Sequence, residues 1–538
     1  QVSYLAALTA LGIAVWKLYP EAPVAPVTTE GEQILPMQDE GTTIVKRPRE
    51  PRRSTSKFSE FEDEPFDPSL DNPLVKERER IVRFKDDAAY QAFLDAAAAK
   101  GLRILRQNSR MRAALVGYNK LSDLDGLLDQ AETSLNFLVI TPNPQPGTAQ
   151  ASAIPSGTGA VSAISGGLDR TGWGKGVTVA VLDTGVAKHS SLDAVSQLSI
   201  GDFSGDLNGH GTAVASIIAG DHPSTPGIAP DAKILDIRIA DVDGRSDSFS
   251  LAEGIFAAVD GGAKVINISM GSYGDASIVQ EAVNYATSRG AVIVASAGNE
   301  GINGLAYPAA YPEVISVGAI DAVGAHLDFS NQSSALSLSA PGFGVNAAWP
   351  NEQLISFTGT SASAPFVSGA IAATISQNPN QSAQSSANLV MRNLNEAGTL
   401  GADPQFGQGT LDLSRVMLAN EPGIVDPAVA SAYYVPPGQN AVNGNTTVLI
   451  QNRGTTTLNN VPVQISINGN LQERYVNQLT PGQTKAITIP TDHARATALG
   501  TLEVNAVLQP NGTTPDIRTD NNQQRVNIDL SPSTSSAE

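Results

Sequence analysis

Between residues 176 and 376, five short apolar runs (VTVAVLD, KILDIRI, KVINIS, VIVASA and VISVGA) alternate with stretches of helical character. The runs are mostly apolar, which predicts strands buried on both faces. The helical stretches fall at about 212–219, 248–259, 278–288 and 362–376. The pattern predicts an α/β fold, a parallel sheet with helices on both faces. In such a sheet the strand ends open onto one crevice, so residues far apart in sequence meet there.

Three segments place a reactive side chain beside glycine at such positions. AVLDTG puts Asp183 at the carboxyl end of a strand. NGHGTAVASIIAG puts His210 at the start of a helix, and FTGTSASAP puts Ser361 at a turn into another, with Pro365 expected in its first turn. A serine hydroxyl is a weak nucleophile until a base takes its proton. His210 suits that role, and Asp183 suits the task of holding the imidazole tautomer. In VIVASAGNEG, Asn299 follows a strand and Gly298. Its amide is a candidate oxyanion donor beside the Ser361 N–H.

The segments DTGV, GHGTAVASIIAG, SAGN and GTSASAP resemble the signatures of the subtilisin-like serine proteases, or subtilases, in the order Asp, His, Ser that the general subtilisin template gives. The resemblance spans about 171–417. It departs at Ala362–Ser363, where the family most often has Met then Ala. It implies a serine endopeptidase with a cleft in which an extended peptide pairs with Ser269, Met270 and Gly271 on one side and Ser296, Ala297 and Gly298 on the other. Walls of Ala and Gly leave room for a large apolar residue before the cleaved bond. No cofactor is required. Calcium as a structural ion is open at Asp202 and Asp206 in GDFSGDLNG, an acidic loop without metal being the alternative. No metal site is assigned.

The flanks read differently. Residues 1–19 are an apolar signal or anchor segment, lacking an initiating Met and a basic leader. Residues 20–75 read as a disordered linker with a basic and then an acidic stretch. Residues 76–142 read as a ferredoxin-like β-α-β-β-α-β unit whose second helix is LSDLDGLLDQAE. It resembles the subtilase propeptide, which implies a zymogen. The Pro- and Gly-rich connector 143–167 carries the expected processing site, and 168–425 is the protease domain. Residues 440–532 have regular short strands and turns, an immunoglobulin-like β-sandwich resembling adhesion modules of bacterial surface proteins.

The chain has no cysteine, so disulfides and thiolate chemistry are excluded. Its net charge of −19 argues against nucleic-acid partners. The expected partners are protein or peptide substrates and the chain's own propeptide, at an extracellular or cell-surface location with membrane attachment open. The competing reading is a surface or structural protein whose subtilase domain serves binding or assembly. His189, His222, His326 and His493 are expected in surface or loop positions. Asp231, Asp236 and Asp241 are expected to be structural or exposed, and Asn208 to be a turn or N-cap residue.

Overall fold

The computed structural model describes residues 67–70, 72–129, 131–141, 152–200, 203, 205–439, 441–509 and 515–530. The apolar N-terminal segment, nearly all of the first linker, Asp202 and positions 142–151 of the connector lie outside them.

The first unit is β1 (Val75–Phe84), α1 (Asp87–Lys100), β2 (Arg103–Asn108), β3 (Ala113–Gly117) and β4 (Ala131–Ile140). Helix α1 starts where Asp86 accepts the Ala89 N–H at 2.8 Å, and stops at Gly101, whose φ is 70°. The second expected helix is a correction. Only a single 3-10 turn forms at Leu121–Leu124, and strand β4 begins at Ala131. Asp123 accepts the Asn119 and Lys120 N–H groups and so starts the turn, but Asp125 leaves the helical region with a ψ of 133° and Gly126 adopts a φ of 69°, so the turn cannot continue.

The central sheet has seven parallel strands: β5 (Thr178–Asp183), β6 (Val195–Ser199), β7 (Lys233–Arg238), then β9 (Val265–Ile268), β10 (Val292–Ser296), β11 (Val314–Ile320) and β12 (Leu338–Pro341). A three-residue strand, β8 (Arg245–Asp247), lies outside it. The spatial order is β12-β11-β10-β9-β5-β7-β6. Helices α2 (His210–Ala219) and α5 (Thr360–Gln377) share one core with Val179, Val181 and Val294. Helices α3 (Ser248–Asp260) and α4 (Ser277–Ser288) share the other with Leu182, Ile266 and Ile293. The β-α alternation and mostly apolar strands therefore produce the α/β sheet that the pattern predicts.

Strand β8 joins the sheet of the first unit, giving the antiparallel order β8-β4-β1-β3-β2. Ile81, Leu115 and Val139 from that sheet, with Met111 from the turn between β2 and β3, are buried in the same core as Phe249, Ile255 and Ile278.

After residue 426 the chain is mostly β. A three-stranded sheet (Pro427–Val435, Asn443–Asn452, Thr484–Asp492) and a four-stranded one (Leu458–Ile467, Asn470–Leu479, Thr501–Leu508, Gln523–Asp529) enclose Val448, Val463, Ile465 and Leu502. One short helix, His493–Ala498, interrupts it, capped by Asp492 accepting the Arg495 N–H at 3.0 Å. This region is tied to the central sheet unit by polar groups. Arg518 meets buried Asp412 at 2.9 Å, and Gln451 accepts the Glu396 N–H at 3.0 Å.

Candidate active site

Strand β5 ends on Asp183, whose Oδ1 accepts the Thr184 N–H at 2.7 Å and the Thr184 hydroxyl at 3.2 Å. His210 opens α2 with Nδ1 2.8 and 3.0 Å from the two Asp183 oxygens. The glycines around His210 make this approach possible. A Cβ at Gly209, which has a φ of 99°, would come within 2.5 Å of the Trp349 ring. A Cβ at Gly211 would lie 2.7 Å from the Gly185 carbonyl and push α2 off the Asp183 turn. The His210 ring stands edge-on to Phe357 with centroids 5.2 Å apart. Its Nε2 is buried and has no hydrogen-bond partner among the described residues.

Ser361 is the second residue of α5. Its hydroxyl donates to the Ser269 carbonyl at 3.0 Å, not to His210. Pro365 is the sixth residue of the helix, beyond the first turn where the sequence pattern puts it. Having no N–H, it leaves the Ser361 carbonyl without its helical donor. That carbonyl accepts the Ser269 hydroxyl at 3.1 Å instead, so the two serines are joined both ways.

Asn299 follows β10. Its Oδ1 accepts the Thr360 N–H and the Thr360 hydroxyl, both at 2.8 Å. This fixes the amide with its NH₂ edge against Gly359, where a Cβ would lie 2.7 Å from Nδ2. Asp183, His210, Asn299 and Ser361 are each no more than 5% exposed.

A strand of the first unit runs along this site. Ile140 and Gly271 donate their N–H groups to each other's carbonyls, both at 2.9 Å. On its other side, β4 pairs Leu138, Val139 and Ile140 with Asp247, Ser246 and Arg245, and the Thr141 N–H reaches the Gly244 carbonyl at 3.0 Å. Gly271, Ser296 and Gly298 border one cavity together with Ile140, Tyr273 and Ala306. Met270 and Ala297 turn into the core. The β8 edge was not legible beforehand, because RSD is three polar residues long and carries no apolar alternation. Asp241 orders the loop before it, its Oδ1 accepting from the Asp243 and Arg245 N–H groups at 3.0 and 2.8 Å.

Other polar residues have ordinary partners. Asp231 accepts the Gly172 N–H at 2.6 Å, and Asn208 accepts the His210 N–H at 3.2 Å. His189, expected near the surface, is buried and its Nδ1 pairs with the Ser191 hydroxyl at 2.8 Å. Asp236 is likewise buried. In the acidic loop, Arg238 donates to the Gly205 and Asp206 carbonyls at 3.2 and 3.1 Å. Those two carbonyls therefore already have a cationic donor. Among the described residues no group of three or more His, Asp or Glu side chains is placed to hold a metal.

Residues 174–409 match the model of the subtilase family, peptidase S8. Subtilisin BL of Lederbergia lenta is 38% identical over 246 residues, which cover 44% of this chain and 90% of that protein. An alkaline protease of Alkalihalobacillus alcalophilus is 36% identical over 272 residues, 49% of this chain and 70% of its own. Among solved structures, the prenylagaramide maturation protease PagA aligns at 30% identity and a TM-score of 0.41, over 45% of this chain and 93% of that one. Likeness over nine-tenths of a subtilisin settles the matter: the chain belongs to the subtilase family and is a subtilisin-like serine peptidase.

Proposed function

We propose that the protein is an exported serine endopeptidase made as a zymogen, with Ser361 as nucleophile. The observation that carries the chemistry is the buried Asp183–His210 pair, whose Nε2 has no hydrogen-bond partner among the described residues, in a fold that also buries Ser361 at the head of α5. Rotation of the hydroxyl away from the Ser269 carbonyl brings it to His210. As Oγ bonds to the scissile carbonyl carbon, its proton passes to Nε2. Asp183 holds the Nδ1 proton and stabilises the imidazolium. The carbonyl oxygen becomes an oxyanion held by the Asn299 amide and the Ser361 N–H. The C–N bond then breaks and the amine leaves with the proton from Nε2. Water, deprotonated by the same nitrogen, releases the acid from the acyl-enzyme.

The first unit acts as an inhibitory propeptide. Residues 138–141 lie in extended pairing with Gly271 and β8, as a substrate would by strand addition. From Ile140 opposite Gly271, the antiparallel register leads towards Ser269, whose carbonyl holds the Ser361 hydroxyl. Processing is therefore expected shortly after Thr141. The small walls at Gly298 and Ala306 favour an apolar residue before the cleaved bond. A profile limited to acidic or basic residues there would overturn that preference. An extracellular setting is in keeping with relatives such as the minor extracellular protease Epr of Bacillus subtilis, 33% identical over 245 residues. Among the described residues no helix is long and apolar enough to cross a membrane. The domain after residue 426 is read as an immunoglobulin-like module for binding or spacing.

A fluorophosphonate probe tests the assignment. It should label the processed wild type and not Ser361→Ala. A processed, folded wild type that resists the probe would contradict it and favour a binding or assembly role.

A further inference from the structure

Three facing side chains sit directly behind the catalytic aspartate. In the sheet register, Val181 on β5 lies opposite Asp236 on β7, and Asp236 lies opposite Gln197 on β6. Asp236 is buried, and its Oδ2 accepts the Val186 N–H at 2.9 Å. Gln197 donates to the carbonyl of the same residue at 2.8 Å. Val186 is thus gripped at both its N–H and its C=O. It closes the short turn that begins at Asp183, carries Thr184 onto the Asp183 carboxylate and sets Gly185 against α2. The other Asp236 oxygen, Oδ1, is buried without a hydrogen-bond partner among the described residues.

We infer that Asp236 is a positioning residue of the catalytic site, anchoring the Asp183–Val186 turn and setting through its charge state how tightly His210 holds its proton. The inference rests on the assignment of Asp183 and His210 as the catalytic pair. Two features make the charge matter. A buried carboxylate with one oxygen unpartnered resists ionisation. And the charged groups facing it are few. Asp183 on β5 repels its ionised form, Arg238 on β7 attracts it, and His210 lies beyond Asp183. The Arg238 guanidinium is turned to the carbonyls of Gly205, Asp206 and Ala240, and Gln197 on β6 is neutral. Burial, reinforced by Asp183, pushes the Asp236 carboxyl up to about 7. Ionisation near neutrality therefore places a second negative charge behind the triad. That charge favours the imidazolium.

The test compares pH profiles of kcat/KM for the self-processed wild type and for Asp236→Asn and Asp236→Ser, normalised to sites titrated with a fluorophosphonate. Both variants remain neutral at every pH. The acid limb should move to lower pH by roughly 0.5 to 1 unit, the size expected of a removed neighbouring charge. Asp236→Asn keeps an acceptor for Val186, so at its optimum it should retain more kcat than Asp236→Ser, with KM little changed in both. Superimposable acid limbs would overturn the proposal. If neither variant folds, the His210 ring signals of full-length Ser361→Ala are followed by NMR between pH 5 and pH 9. A curve with two inflections supports the proposal, and a single ionisation overturns it. Failure of the catalytic assignment itself is distinguishable, because the wild type would then not react with the probe at all.

Discussion

Ser269 and Ser361 exchange two hydrogen bonds, the Ser361 hydroxyl to the Ser269 carbonyl at 3.0 Å and the Ser269 hydroxyl to the Ser361 carbonyl at 3.1 Å. The second bond exists because Pro365 supplies no helical donor. Ser269→Ala leaves a buried carbonyl unpaired, which should cost about 1–3 kcal/mol of stability. Pro365→Ala restores an N–H four residues along the helix. In the Ser269→Ala background it should recover a measurable part of that loss. Denaturant unfolding of all four chains in a Ser361→Cys background, which limits self-digestion, gives the coupling. Strict additivity would contradict the explanation.

Asn299 is oriented by both the Thr360 N–H and hydroxyl. Asn299→Leu should lower kcat by about 10²–10³ with KM little changed. Thr360→Val keeps the N–H but removes the hydroxyl bond. It should give a smaller loss, on the order of tenfold, because the amide then loses one of the bonds that Thr360 supplies. Steady-state kinetics on a peptide anilide separates the two. Equal losses would show that Thr360 does more than orient Asn299.

Arg106 from the first unit pairs with Glu253 on α3, and Asn108 donates to the same carboxylate at 2.9 Å. Burial nevertheless dominates, so the Glu253 carboxyl stands above its ordinary value of 4.5. A raised carboxyl favours the folded state below that value, and the contribution is lost as pH rises through the folded value. Removing Arg106 leaves an ionised, unpaired Glu253 at alkaline pH and a neutral one in acid. Arg106→Ala in the Ser361→Ala chain should therefore destabilise by about 1–3 kcal/mol near pH 8 and by clearly less near pH 5. Urea unfolding at the two pH values checks this. A larger loss in acid would reverse the sign.

Asp412 behaves oppositely. Burial pushes its carboxyl up, but Arg518, Ser414 and Asn395 outweigh burial and hold it below its ordinary value of 3.8. A lowered carboxyl stabilises the fold above that value, and the contribution disappears as pH falls through the folded value. Asp412→Asn should loosen the seat of the C-terminal β region by about 1–3 kcal/mol at pH 7. The gap to wild type should narrow only below the ordinary value. Urea unfolding as a function of pH reads both, and a gap already closed at pH 5 would contradict the pairing.

The sheet and the places of Asp183, His210 and Ser361 at strand and helix ends were legible because they follow local rules. Strands buried on both faces are mostly apolar, the close approach of α2 to the Asp183 turn demands glycine at 211, and the Trp349 ring demands it at 209. What escaped depends on distant partners. Helical residues at 121–132 yield to a single turn once Asp125 turns extended and Gly126 takes a positive φ. The β8 edge exists only because β4 lies beside it. Asp236, in the apolar run KILDIRI, becomes intelligible only when Val186 and Gln197 are seen around it.

The most direct test is the intact mass and N-terminal sequence of the purified protein, wild type against Ser361→Ala. The wild type should begin between residues 142 and 165 and release the first unit, while Ser361→Ala should keep that unit covalently attached. Identical, unprocessed chains from both would contradict a self-cleaving zymogen in which residues 138–141 occupy the cleft beside Ser361.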